Sequence, residues 1–311
     1  MRLAFSSILL GLCWFAIVNV ASTLVAVVLT RAIGNRRCSA GLLLGLRLMP
    51  AALSTFFVLS IFLPAHWRFE PENPDETFGV ALALFAALSL LLIGRSTLRA
   101  VRMLRTDMRL AAMTSRLATP RGIAFEVTDL PGVSLAGILR PKILVGSQAL
   151  ATLTPAELDV AISHEIAHQR SLDNFKRFLI CCAPDVFGWL PEARTLESRW
   201  EAETECQADA LAVRGDDSRA VSLASALVKV ARLTRPGTIS PSPAWSGFHV
   251  PTLLETRVRY LVAGHTRAPR SRASVWGVFA AAALSLPASV WLLDFSYTLH
   301  EVTETMVAYL P

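Results

Sequence analysis

The chain has 311 residues, of which 53 % are hydrophobic and 17 % charged, with a formal net charge of +6 and a mean hydropathy of +0.47. An ordinary soluble domain is about 25 % charged, so the composition points to a bilayer. The positive charge is mostly arginine beside apolar stretches, which suits lipid headgroups and topology signals. No nucleic-acid-binding module is recognisable, and nucleic acid is excluded as a partner. Five cysteines without a C-x-x-C pair exclude a disulfide framework.

Four apolar runs follow in chain order. Residues 3–30 carry no charge, and a bilayer span needs about 20 residues. The second run, "LMPAALSTFFVLSIFLPAH", follows Arg47; the third is "FGVALALFAALSLLLIG"; the fourth is "ASVWGVFAAAALSLPASVWLL", with Trp276 and Trp291 near its ends. The first connection carries Arg31, Arg36, Arg37 and Arg47, with Arg47 expected at the cytoplasmic edge. The second has Arg68 among four acids, and the third opens on Arg95, Arg99, Arg102, Arg105 and Arg109. By the positive-inside rule both termini face out of the cell (inner) membrane and the block between the third and fourth spans faces the cytoplasm. The expected layout is a three-helix membrane region at 1–94, a cytoplasmic domain at 95–272, a fourth span at 273–296 and a short tail at 297–311. The fold class is a mainly α membrane protein with an α+β domain between its third and fourth spans.

Within the cytoplasmic block the arginine helix continues out of the membrane along the headgroups. Strand-like runs follow at 123–129, 133–139 and 142–146, punctuated by Pro and Gly. Then comes "TPAELDVAISHEIAHQRSL", with Thr154 as N-cap, Pro155 at the first helical position and Glu157 completing a capping box. Residues four apart share a helix face. His164 and His168 therefore point at one metal ion, and Glu165 reaches its water. A hydrolytic zinc takes three protein ligands and a water whose pKa it lowers to about 7. Glu165 is the general base that takes the proton and returns it to the leaving amine.

The third ligand is expected on a helix over 194–213, where Glu201, Glu205 and Asp209 form one stripe at i, i+4, i+8. Glu205 as ligand places Asp209 one turn on, ready to accept an N–H from a ligand histidine. Glu201 and Glu203 are the alternatives. The apolar stretch 178–190 lies between the two ligand helices. It is short for a span, and a single crossing would put Glu205 on the wrong side, so it is expected to be buried, re-entrant or interfacial.

"HEIAH" followed by "ECQAD" resembles the integral-membrane gluzincins, the HtpX and CAAX-prenyl-protease group and the BlaR/MecR-type membrane peptidases. "GILRPKILVG", "HQRSLDN" and "DVFGWLP" are similar to segments of the BlaR/MecR type. The resemblance implies a zincin-like metallopeptidase domain with one Zn²⁺ held by His164, His168 and Glu205, Glu165 as catalytic base and Asp209 behind a ligand. It also implies Asp173 orienting the end of the zinc helix, unless Asp173 is simply a turn residue. "FHVPTLLETRVRYL" resembles an HtpX-group segment, so His249 or Arg257 would steady a substrate carbonyl; the plain readings are a loop histidine and a helix-surface arginine. Receptors of the BlaR/MecR type carry a penicillin-binding sensor after the fourth span. This sequence runs only to Pro311 without a Ser-x-x-Lys motif, so direct β-lactam sensing is not expected.

The expected activity is zinc-dependent cleavage of a cytoplasmic regulator or membrane-protein segment at the face of the lipid bilayer. The strand at 142–146 would take the extended peptide as an added strand. The alternative is a signalling subunit that works mainly by binding a partner, with a structural or autoproteolytic zinc site and a membrane sensor partner supplying the stimulus.

Overall fold

The computed structural model describes residues 2–69, 79–110, 115–118, 124–128, 132–233, 245–247 and 251–263, and, near the C-terminus, 297–299, 301–303, 305 and 307. The expected fourth span and His249 lie outside the described residues. The chain divides into two compact units, one of residues 1–98, 182–198 and 271–311 and the other of residues 99–181 and 199–270.

In the first unit, α1 (Arg2–Ile33) and α2 (Ala40–Phe57) are followed by a π turn (Val58–Phe62), α3 (Leu63–Phe69) and α4 (Val80–Leu110). The stretches Ser6–Ile33, Ala40–Arg68 and Val80–Met108 are each long and apolar enough to cross a bilayer. The π turn precedes Pro64, which has no N–H to donate and whose ring crowds the carbonyl four residues back; the wider turn relieves both. Small polar groups tie the helices together: Asn19 Nδ2 donates to Ser54 Oγ at 3.0 Å, and Ser89 Oγ donates to the Leu12 carbonyl at 2.6 Å. At 1.5 Å per residue α4 is about 46 Å long, more than a hydrocarbon core of about 30 Å.

One expectation changes here. Arg47 is not in the loop: α2 begins at Ala40, and Arg47 is buried in its second turn at 4 % exposure. Its Nη1 meets Asp185 Oδ2 at 2.9 Å and its Nε meets Glu197 Oε1 at 2.5 Å. The stretch 178–190, expected to be buried, re-entrant or interfacial, finishes α7 (Asp173–Cys181) and then forms a bonded loop with a 3₁₀ turn at Phe187–Trp189, with Ile180, Ala183, Asp185 and Phe187 buried. Asn19 clasps that loop, donating to the Pro184 carbonyl at 3.1 Å and accepting from the Val186 N–H at 3.0 Å. A Cβ at Gly188 would come within 2.9 Å of Arg47 Nη2 and 3.2 Å of Asp185 Oδ1, so a side chain there would push on the ion pair.

The second unit is built on a five-stranded sheet, β1 (Ser115–Ala118), β2 (Ala124–Thr128), β3 (Val133–Ala136), β4 (Lys142–Gly146) and β5 (Trp245–Gly247), in the order β1-β2-β4-β3-β5. Only β2 and β4 run parallel. Strands β2, β3 and β4 match the expected runs, and β3 stops at Gly137, whose φ of 110° no side chain tolerates well. Strand β1 was not foreseen, since the arginine helix was expected to continue. The expectation that 142–146 receives a peptide fails: β4 is paired on both sides, with β2 and with β3, and has no open edge.

Helices α5 (Ser147–Thr152), α6 (Pro155–Ser171) and α9 (Asp217–Leu233) share one apolar core with this sheet through Leu135, Val145, Val160, Ile162, Leu223 and Leu227. Each such buried aliphatic side chain contributes about 1.5–3 kcal/mol. Helix α8 (Pro191–Val213) adds Ala212 and Val213, and α10 (Pro251–Val262) adds Leu261. The core thus fixes the helices that carry the polar cluster described next.

Candidate metal centre

Helix α6 starts as the sequence requires. Thr154 accepts from the Glu157 N–H at 3.3 Å, and Glu157 Oε2 accepts from the Thr154 N–H at 2.8 Å. Lys229 Nζ and Ser225 Oγ also reach the Glu157 carboxylate, at 2.8 and 2.6 Å. Two turns on, His164, Glu165 and His168 are all buried, at 0, 0 and 2 % exposure. The i, i+4 spacing brings His164 Nε2 and His168 Nε2 to 3.0 Å, with the two rings edge to face.

Helix α8 supplies the carboxylate. Glu205 Oε2 lies 3.4 Å from His164 Nε2, and its Oε1 lies 3.6 Å from His168 Nε2. Of the three candidate acids only Glu205 joins the histidines, with one ligand atom from each residue within 4.8 Å of the others. Glu203 accepts instead from Gln207, and Glu201 lies 3.9 Å from Arg177. A tetrahedral ion with bonds of about 2.0–2.1 Å holds its ligand atoms about 3.3 Å apart. The two imidazole nitrogens, 3.0 Å apart, come close to that value, and each has a different Glu205 oxygen nearby, at 3.4 and 3.6 Å.

The outward nitrogen of each imidazole meets a carboxylate. His164 Nδ1 lies 2.9 Å from Asp209 Oδ1, and His168 Nδ1 lies 2.8 Å from Asp173 Oδ2. Such pairs fix the tautomer that leaves Nε2 as the donor to a metal. Asp173 reaches His168 because Leu172 leaves the helix in the left-handed conformation, at φ 56°, and Asp173 then opens α7. Lys176 Nζ donates to the other Asp173 oxygen at 3.0 Å.

Arg257 corrects the sequence reading. It is not a surface arginine: α10 buries it at 3 % exposure. Its Nε and Nη2 donate to the two Asp209 oxygens at 2.8 and 2.6 Å, and its Nη1 lies 2.8 Å from Glu205 Oε2. Lys176 escaped notice too, although an acid and a lysine three apart were in view. Arg257 carries no such local signal, because its partners lie 48 and 52 positions away in the chain.

Three carboxylates, of Asp173, Glu205 and Asp209, face two cations, Lys176 and Arg257, which leaves negative charge in excess around the histidines. Burial works against ionisation of Glu205 and Asp209, but Arg257 and the imidazoles hold both carboxyls below the usual range. Burial also works against a charged His168. Glu205 and Asp173 outweigh it and push that imidazole up to about 10. Glu165 differs: burial pushes its carboxyl up to about 7, and neither of its oxygens has a hydrogen-bond partner among the described residues. A buried carboxylate without a partner is costly unless something outside the chain completes it. The donor types, spacings, excess negative charge and bare Glu165 all fit a zinc ion with its water.

No protein-family model matches the chain, and no curated protein matches it.

Proposed function

We propose that the chain is an integral-membrane zinc endopeptidase of the BlaR/MecR-like gluzincin type. The observation that carries this reading is the convergence of His164, His168 and Glu205 beside a buried Glu165 that has no hydrogen-bond partner among the described residues. A zinc ion held there would supply Lewis acidity and an activated water. Glu165 takes the proton of the attacking water and hands it to the leaving amine, a task suited to a carboxyl pushed up to about 7. Asp209 and Asp173 hold the two histidines in the tautomer the chemistry needs.

The three apolar helices, with a fourth span over 273–296, anchor the domain in the cell membrane. The arginines that flank them support a cytoplasmic active site and outward-facing termini. The substrate class is a cytoplasmic regulator or a membrane-protein segment. With β4 enclosed, an extended peptide has to find another edge of the sheet.

The test compares protein N-termini in cells carrying the wild type and Glu165→Gln, with metal analysis of both purified proteins. One equivalent of zinc in each, with N-termini that depend on the wild type, supports the peptidase. Zinc in both with identical N-termini overturns it in favour of a partner-binding signalling subunit.

A further inference from the structure

Arg257 arrives at the cluster from α10, far along the chain from both ligand helices, and places a guanidinium between the two buried carboxylates of α8. Two of its nitrogens fork onto Asp209, and the third lies 2.8 Å from Glu205 Oε2. Glu205 has two oxygens that face the histidines, Oε2 toward His164 and Oε1 toward His168. A carboxylate free in that position can grip a metal through both. An oxygen already against a cation is the poorer donor to a second cation, by plain Coulomb repulsion.

We infer that Arg257 is a positioning residue that confines Glu205 to a single donor oxygen, Oε1, and so keeps the metal four-coordinate with one position left for water. The inference rests on the zinc reading above and adds to it the control of coordination number. The same fork holds Asp209 against His164, so one side chain aligns two of the three ligands. Lysine cannot replace it, because an ammonium is a point charge without the planar fork. The role also explains why a full positive charge is tolerated beside a cation site. With Asp209 and Glu205 both ionised, Arg257 cancels one charge of the pair and leaves the other for the metal.

The experiment uses the full chain in detergent with Co²⁺ alone as the spectroscopic probe, and Zn²⁺ against a competing chelator for affinity. The wild type is expected to show the intense ligand-field bands of four-coordinate Co²⁺. Arg257→Met and Arg257→Lys are both expected to show the weaker bands of a higher coordination number and to lose about 10–100-fold in Zn²⁺ affinity, with unchanged far-ultraviolet circular dichroism. Wild-type bands and affinity in either folded variant overturn the inference; if Arg257→Met does not fold, Arg257→Lys decides alone. A wild type that binds neither metal overturns the zinc reading and this inference with it, whereas metal binding insensitive to Arg257 overturns the inference alone.

Discussion

Asp173 Oδ2 lies 2.8 Å from His168 Nδ1, on the side of the ring opposite the nitrogen that faces Glu205. Asp209 stands in the same relation to His164. Each histidine is thus held at Nδ1, with Nε2 turned toward Glu205. Replacing Asp173 or Asp209 with Ala is expected to weaken Zn²⁺ binding by about 10–100-fold while leaving the ligands themselves in place. Chelator competition on the purified chain measures this, and unchanged affinity in both variants contradicts the assignment.

Glu165→Gln removes the proton acceptor without removing a ligand. Cleavage is expected to fall by at least about 10²–10⁴-fold, the usual contribution of general-base catalysis, with the zinc content unchanged. Loss of zinc together with activity would instead place Glu165 in the coordination sphere.

Metal should also show in stability. A ligand that binds only the folded chain adds about 2.7 kcal/mol at a hundredfold excess over its dissociation constant. Stripping the metal with a chelator should lower the thermal midpoint, and zinc should restore it. In His164→Ala, chelator and zinc should both be without effect on that midpoint.

The Glu157 carboxyl, on a residue 6 % exposed, meets Lys229, Ser225 and the Thr154 N–H. Burial opposes its ionisation, but Lys229, Ser225 and Thr154 outweigh this and lower it from 4.5 to about 2. A depressed carboxyl stabilises the fold above its unfolded value, and that contribution fades as pH falls from 4.5 toward 2. Glu157→Gln keeps an acceptor for the Thr154 N–H but removes the charge facing Lys229, and is expected to cost about 0.5–2 kcal/mol near neutrality. The gap in thermal midpoint between wild type and variant should narrow over that acid window. A gap independent of pH would show that the charge contributes nothing.

Arg47 neutralises Asp185, which is wholly buried. Arg47→Met leaves that carboxylate without its cation and is expected to cost about 3–5 kcal/mol. Adding Asp185→Asn should recover part of the loss. Thermal unfolding of the two single variants and the double variant gives the coupling, and strict additivity would mean that the pair is energetically idle.

Local signals were the readable ones. The capping box, the i, i+4 histidines and the acid stripe each lie within a few helical turns, and each appears where helix geometry puts it. The three apolar helices were legible for the same reason, since length and hydropathy act along one segment. Contacts between distant segments were not legible. Arg257 finds its carboxylates only through the docking of α10, and Arg47 finds Asp185 only through the loop that Asn19 clasps. Sheet order is a similar case: nothing in "KILVG" tells an inner strand from an edge, because its buried residues would suit either. Strand β1 was masked by the arginine-rich helix before it, whose pattern gave no stop signal.

The turn at Leu172 has a consequence for spacing. In an unbroken helix, residues five apart are rotated about 140° from each other, so Asp173 would point away from His168. The left-handed Leu172 resets that angle, which makes the interval between the second histidine and its aspartate a ruler read through a break. Leu172 is itself half-exposed, so its side chain contributes little there. Glycine would adopt the same backbone angle without the strain that a side chain meets at positive φ, whereas a single residue added or removed between 168 and 173 would detach the aspartate altogether. The distance along the chain is set more strictly than the identity of the residue at the bend.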